Sequence, residues 1–251
     1  METVSSRVMP IDSHNASTRR FMLGFSLVAA ALALAGSSGT FLMPLAQHTF
    51  FAPWFVFVHG ALFFTWICLL VAQSTLVAYR KISVHRRLGQ IAVVFIPLLT
   101  LSSVAVALWS AASGYGAGQE NQAIVALLGE LMDTILFAGF ATTAILLRGQ
   151  PQWHRRMILF ATLALLDAAM ERIPVLGTAA NYIVVTLVLA IVAYDVALDG
   201  RLHAATLIAG IVLFVGIPIE NRVNSTSRWL ALGTQLVTRV HYESDDGLPS
   251  H

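Results

Sequence analysis

The chain has 251 residues, 57% of them hydrophobic and only 11% charged, with a mean hydropathy of +0.75, whereas a soluble domain carries about 25% charged residues. That composition excludes an ordinary water-soluble globule and places the chain in a bilayer. The formal charge is only +2 and the basic residues are scattered among apolar runs, which argues against a nucleic-acid partner despite a pI near 9.0; the single Cys68 excludes an intrachain disulfide and a thiolate metal cluster.

Residues 1–20 are polar, lack a core pattern and read as a cytoplasmic N-terminal segment. The first apolar segment, Phe21 to Met43, follows Arg19 and Arg20. Its stretch FMLGFSLVAAALALAG has the outline of a signal peptide, with small residues at Ala33 to Ala35. The polar leader is long, however, and apolar sequence resumes at FLMPL, so a retained helix is expected; cleavage would leave six helices with both ends outside. The second segment, Pro53 to Tyr79, carries His59, Trp66 and Gln73 at intervals of seven, one stripe down a helix. YRKISVHRRLGQ leads from it to the third, Leu88 to Ala112, and the fourth runs from Ala123 to Leu147. LRGQPQWHRRMI leads into the fifth, Met157 to Ile173, which with the sixth, Tyr182 to Leu198, is short at about 17 residues but within the range for a spanning helix. The seventh is Ala204 to Ile219.

Residues 221–251 change character. Trp229, Leu230, Leu232 and Leu236 have an apolar spacing that suits a helix on the outer membrane surface, and the last ten residues read as a disordered acidic tail. No segment alternates as strands do. The predicted fold is all-α, a polytopic membrane helix bundle of about seven transmembrane helices over residues 21–220, with no soluble domain.

Basic residues orient it. Arg7, Arg19, Arg20, Arg80, Lys81, Arg86, Arg87, Arg148, Arg155, Arg156 and Arg201 fall on one side of alternating loops, and Arg172, Arg222, Arg228 and Arg239 on the other. By the positive-inside rule the N-terminus is cytoplasmic and the C-terminus outside, as expected for a multi-pass protein of a bacterial inner membrane.

Ionisable groups within the segments are functional hypotheses, because each costs several kcal/mol to place there unpaired. At about 1.5 Å per residue from the outer helix ends, His59 lies ~9 Å deep, Glu130 ~10 Å, Asp133 ~15 Å, Asp167 ~10 Å and Glu171 ~4 Å. Glu130 and Asp133 are three apart, Asp167 and Glu171 four apart, so each pair shares a helix face; Arg172 lies near the outer end. Three helices thus offer a histidine, four carboxylates and an arginine to one outward-opening cavity. One reading is a structural network in which Arg172 neutralises one carboxylate and His59 bonds a second. Another is a proton-coupled or cation-binding site. A third is a metal site, in which the carboxylates suit a hard ion and His48 supplies a second nitrogen, although no HExxH or ExxH spacing supports it.

A second cluster faces the cytoplasm. His85, His154 and His203 stand near the starts of the third, fifth and seventh helices, each beside arginine, in HRRLG, HRRM and GRLH. Such a trio suits bis-histidine ligation of a haem b near the inner face, with Arg86 and Arg155 pairing the propionates, or capture of a phosphate-bearing headgroup or nucleotide. The plainer reading is imidazoles hydrogen-bonded to loop carbonyls at helix ends. Asp195, beside Tyr194, extends the polar positions toward this side and makes a polar route across the membrane conceivable. Small residues such as Gly114, Gly116, Gly118, Gly139 and Ala141 suit close helix packing.

A retinal Schiff base is excluded, since the only lysine, Lys81, lies in a loop; GYGAG at 114–118 is not followed by GK[ST], and no GxSxG elbow occurs. VHG at His59, HRRLG at His85, RGQPQWHRRM around His154 and the ER at Glu171 and Arg172 together resemble a broad group of bacterial polytopic membrane proteins that share an HRxLG loop and a later HRR(L/M) loop, over about Pro53 to His203. That resemblance brings no established activity. More distantly, histidines near helix ends are similar to those of transmembrane cytochromes b of the ascorbate-dependent type; this chain departs from their pattern, with only His59 well inside a helix, leaving at most one inner haem. The leading expectation is a haem- or quinone-linked redox membrane protein with His85 and His154 as axial ligands. The alternatives are a proton-coupled small-solute transporter, with Asp133, Asp167 and Glu130 carrying protons and His59 as relay, and a structural or assembly subunit. The bilayer is the environment; a membrane-protein partner or a second copy is admissible.

Overall fold

The computed structural model describes residues 11–171 and 179–245, with side chains over 15–170 and 182–241. Among the described residues every regular element is helical. The seven long helices are α1 (Ile11–Ser37), α3 (Trp54–Ala78), α5 (Ala92–Gly116), α6 (Glu120–Leu146), α7 (Pro151–Glu171), α8 (Ala179–Asp199) and α9 (Ala204–Asn224). A π-helical stretch (Ser38–Leu42) and α2 (Met43–Ala46) follow α1, α4 (Ile82–Gly89) joins α3 to α5, and α10 (Ser227–Asp245) closes the described chain.

Neighbouring helices run in alternating directions, and cross-links at one end show it. Thr18 near the start of α1 meets Tyr194 near the end of α8 at 3.1 Å, His154 at the start of α7 reaches the Ala144 carbonyl at the end of α6, and Arg156 of α7 bonds Asp195 and Asp199 of α8. This is the basic end of the bundle. At the far end, α10 lies against α5 and α6.

Among the described residues, six helical spans are long and apolar enough to cross a membrane: Asn15–Ala46, Trp54–Ala78, Ala92–Gly116, Glu120–Leu146, Tyr182–Asp199 and Ala204–Asn224. They carry outward-facing side chains such as Leu34, Val94, Leu101, Ile135, Leu189 and Ile211, all exposed as lipid-facing positions must be. Aromatic anchors mark both interfaces. Trp54 and Tyr79, both strongly exposed, stand at opposite ends of α3, about 37 Å apart at 1.5 Å per residue, and so bracket a hydrocarbon core of about 30 Å.

The fifth predicted segment departs from the others. α7 carries Arg155, Arg156, Asp167 and Glu171 and falls short of the apolarity of a lipid-facing span, yet it is the centre of the bundle. Leu159, Phe160, Leu163, Leu166 and Met170 are fully buried against α1, α6, α8 and α9. Protein surrounds this helix, so Arg155, Arg156 and Asp167 face protein rather than lipid. Since lipid tails are as apolar as leucine, close van der Waals fit holds such helices together. Ala29, Ala33 and Gly36 give α1 a small-residue face, and a methyl group on Gly36 would collide with the Ala169 carbonyl of α7. The small residues at Ala33 to Ala35 therefore lie within a packed helix.

Three boundaries differ from expectation. Helix α1 begins at Ile11, inside the polar segment assigned to residues 1–20. His85 lies in the separate short helix α4 rather than at the start of the third spanning helix. Helix α10 continues to Asp245, so part of the expected disordered tail is helical; residues 246–251 lie outside the described residues. Its protein-packed face differs from the apolar face expected to lie on the membrane surface. Trp229, Gly233, Val237 and Val240, spaced three to four apart, rest on α5 and α6, with Val237 fully buried, while Leu230 and Leu232 face outward. Of the glycines expected to serve packing, Gly114 and Gly116 meet neighbours, whereas Gly139 faces open space.

Candidate functional site

A cavity of about 230 Å³ opens toward the far end between α1, α3, α5, α6 and α7. Its ionisable lining, among the described residues, is His59 from α3 with Glu130 and Asp133 from α6. Helix geometry makes that pairing: residues three apart on α6 project to one side, and the N-terminal half of α6 faces the same level as the first turns of α3. Hydroxyls from Ser37, Thr40, Ser103, Ser110 and Thr134 supplement them, and His59 Nδ1 lies 3.1 Å from Ser102 Oγ. The remaining wall is aromatic and aliphatic, including Phe41, Phe50, Phe63, Phe64 and Trp109.

The π-helical stretch contributes to this wall. An extra residue in the helical turn re-aims side chains, which is why such stretches recur at functional sites. Here it carries Phe41, whose ring stands 5.2 Å from Phe50 and 6.4 Å from Phe64 between centroids. Phe41 is seated against Gly60, one residue beyond His59, where a Cβ would meet the ring at 2.7 Å.

The structure therefore joins His59, Glu130 and Asp133. Asp167, half-buried on α7, lies outside the lining, although Ala168 and Ala169 belong to it. The side chain of Glu171 and all of Arg172 lie outside the described residues. His48 is exposed in the loop after α2 and is not part of the lining. Among the described residues no three histidine, cysteine or carboxylate side chains are grouped to hold a metal.

The expected stripe of His59, Trp66 and Gln73 does run along the inner face of α3, with each member engaged separately. Trp66 is buried, donates to Thr162 Oγ1 at 3.3 Å and packs edge to face on Phe137 at 5.0 Å. These two rings stand between the cavity and the basic end. The Gln73 amide, turned so that all its contacts are satisfied, donates to His85 Nδ1 (2.7 Å) and to the His85 carbonyl (3.2 Å) and accepts from the Gly89 amide (3.0 Å).

At the basic end His85 and His154 come together, with ring centroids 6.4 Å apart and planes nearly perpendicular. His154 Nδ1 donates to the Ala144 carbonyl at 2.8 Å. His85 accepts at Nδ1, so its proton sits on Nε2; burial first, then the neighbouring His154 ring and Arg86, push its pKa below the usual histidine value against an opposing pull from the Gln73 backbone. His203 is placed apart. It is the N-cap of α9, with Nδ1 accepting from the Ala205 amide at 3.0 Å and its ring against Trp153 at 5.8 Å. Burial, and then Arg156, lower its pKa against the pull of Asp195 and Asp199. Arg86 is exposed, and Arg155 is half-buried over the Tyr194 ring.

Arg156, read from the sequence only as a topological charge, is a main organiser of this end. It is fully buried, with Nε donating to Asp195 Oδ1 at 2.9 Å and further bonds to Asp199 and the Gln152 carbonyl. Asp195 is completed by the Thr206 hydroxyl and the His203 amide, tying α7, α8 and α9 together. The available signal was the Asp195 and Asp199 spacing of four, which sets two carboxylates on one face at a helix end.

The fold defines an integral, multi-pass, all-helical membrane protein in contact with the lipid bilayer. No family model, no curated protein sequence and no solved structure matches the chain.

Proposed function

We propose that the protein is a proton-coupled small-solute carrier whose binding site is the cavity. The observation that carries this reading is the convergence of His59, Glu130 and Asp133 on a space of about 230 Å³ at membrane depth. Charged groups are expensive there, and they persist where they line a path or hold a partner. A carboxylate whose proton affinity changes when a solute sits beside it links solute binding to protonation. Glu130 and Asp133 hold the coupled protons and His59, backed by Ser102, passes them. The Trp66 and Phe137 rings close the inner side, so passage requires them to separate while the outer side shuts.

The test uses proteoliposomes with a trapped pH-sensitive dye and an external panel of small amines, amino acids, carboxylates and polyols. Proton movement evoked by a panel member in the wild type, and lost in Asp133→Asn or Glu130→Gln, supports the carrier. Proton movement evoked by none of them in correctly folded protein sinks it.

A second reading, a haem- or quinone-linked redox protein, is favoured by one observation: His85 and His154 are neighbours, and the Ala144 carbonyl holds the His154 proton on Nδ1, leaving Nε2 as the ligating atom. Against it stands Gln73, which keeps the His85 proton on Nε2. Visible spectra of protein expressed with haem available, oxidised and then dithionite-reduced, decide this: a Soret band lost in His154→Ala supports haem, and a colourless preparation removes it.

A further inference from the structure

We propose that the exposed basic surface of α4, together with the turn before it, docks the headgroup of an anionic phospholipid at the basic end of the bundle. Arg80, Lys81, Arg86 and Arg87 stand close together in the chain, and all four are exposed. No aspartate or glutamate occurs between positions 13 and 119, and among the described residues none of the four pairs with a carboxylate. The cluster therefore keeps its charge for a partner outside the bundle. Its support is fixed. Gln73 of α3 bonds both His85 and the Gly89 amide, which holds the inner face of α4, and at about 100° per residue Arg86 and Arg87 project to the side and back of that face. Two guanidiniums on one held helix offer the planar, forked donors that suit a phosphodiester. The surroundings favour a lipid over a soluble phosphate. Tyr79, Ile82, Val84 and Ile91 are exposed apolar side chains interleaved with the basic ones, as on a helix that lies at the bilayer surface with its charges among the headgroups. Arg80 adds a further sign. It closes α3 at φ 59°, with its amide on the Val77 carbonyl (3.1 Å) and the Lys81 amide on the Leu76 carbonyl (2.8 Å), a turn whose ordinary occupant is glycine. Arginine there sets a charge at the edge of the patch where the backbone alone would favour a residue without one.

The deciding experiment is native mass spectrometry of the full-length protein in neutral detergent, titrated with phosphatidylglycerol or with phosphatidylcholine of identical acyl chains. Each basic residue near a membrane surface contributes about fivefold to such attraction. The wild type should retain phosphatidylglycerol at least tenfold better than phosphatidylcholine, and Arg86→Gln with Arg87→Gln should weaken that retention at least tenfold. Arg20→Gln with Arg201→Gln, the same loss of exposed charge elsewhere at the basic end, should leave it within twofold. Arg80→Gly gives an independent reading, since glycine suits the turn: the melting temperature should hold or rise while phosphatidylglycerol retention falls severalfold, a combination that an arginine with only a structural role would not produce. Equal retention of the two lipids by the wild type overturns the proposal. An equal loss in the Arg20 and Arg201 pair also overturns it, because the attraction would then be a diffuse property of the whole basic end. Undiminished retention in Arg80→Gly and in the Arg86 and Arg87 pair places the lipid elsewhere and overturns it as well. None of these outcomes touches the cavity, so the carrier reading stands or falls separately.

Discussion

Arg156 Nε lies 2.9 Å from Asp195 Oδ1 with both side chains fully buried, and this pair fastens α7 to α8 and, through Thr206, to α9. Removing Arg156 leaves the Asp195 carboxylate buried without a counter-charge, which costs about 3–5 kcal/mol, whereas removing Asp195 leaves Arg156 still paired with Asp199. Arg156→Met should therefore lower the unfolding free energy in mixed micelles by about that amount. The double variant Arg156→Met with Asp195→Leu should recover most of the loss, since an apolar pair of similar volume leaves no orphan charge. Additive losses in the double variant would show that the pair is not a coupled unit.

The sequence displayed the helices because each spanning segment must be apolar over roughly 20 residues, and that pattern survives any packing arrangement. It also displayed the level shared by His59, Glu130 and Asp133, because helical rise converts residue number into depth. Direction around a helix is the harder quantity. Asp167 shares that depth but lies outside the lining, and His203 shares its side of the bundle with His85 but caps its own helix instead of joining the pair. Arg156 was hidden for another reason: a basic residue at a segment boundary looks topological until α8 supplies Asp195. Phe41 gave no signal, since its place in the wall depends on a π-helical turn that no spacing announces.

Gly60 and Phe41 test the aromatic wall. An alanine at position 60 must displace the Phe41 ring, and overpacking of this kind costs about 1–3 kcal/mol. Gly60→Ala should lower the melting temperature and weaken solute binding, and adding Phe41→Leu should restore stability but not binding. Recovery of both would mean that the ring fills space without contacting the solute.

The basic end should make stability depend on pH. His85 and His203 both have folded-state pKa values below 6.5, so the unfolded chain binds protons there more readily than the fold does. Stability from these groups is complete above about pH 7 and falls as pH drops through 6.5 toward their folded values. His203→Asn keeps a good N-cap while removing the titration. Together with His85→Asn it should flatten the stability profile below about pH 7, measured by thermal melting in buffers of equal ionic strength. An unchanged slope would assign the dependence to other groups.

Helix α10 should be a separable element. Val237 is fully buried against Ala107, Ala111, Ala123 and Leu127, while most of the opposite face is exposed, so the helix is held through one apolar stripe. Aspartate at that position would bury an unpaired carboxylate, which costs more than a short docked helix gains from its contacts. Val237→Asp should release α10 and leave the bundle folded, because the cross-links of the basic end lie at the other side of the membrane. Arg228 and Arg239, already exposed, then lie in a released segment that can unfold into the trypsin site, so limited digestion of the variant should remove the C-terminal segment quickly and leave a resistant core with an unchanged main melting transition. Loss of that transition together with α10 would make the helix an integral part of the bundle, and would join the adjoining ends of α5 and α6, hence the geometry of Glu130 and Asp133, directly to its docking.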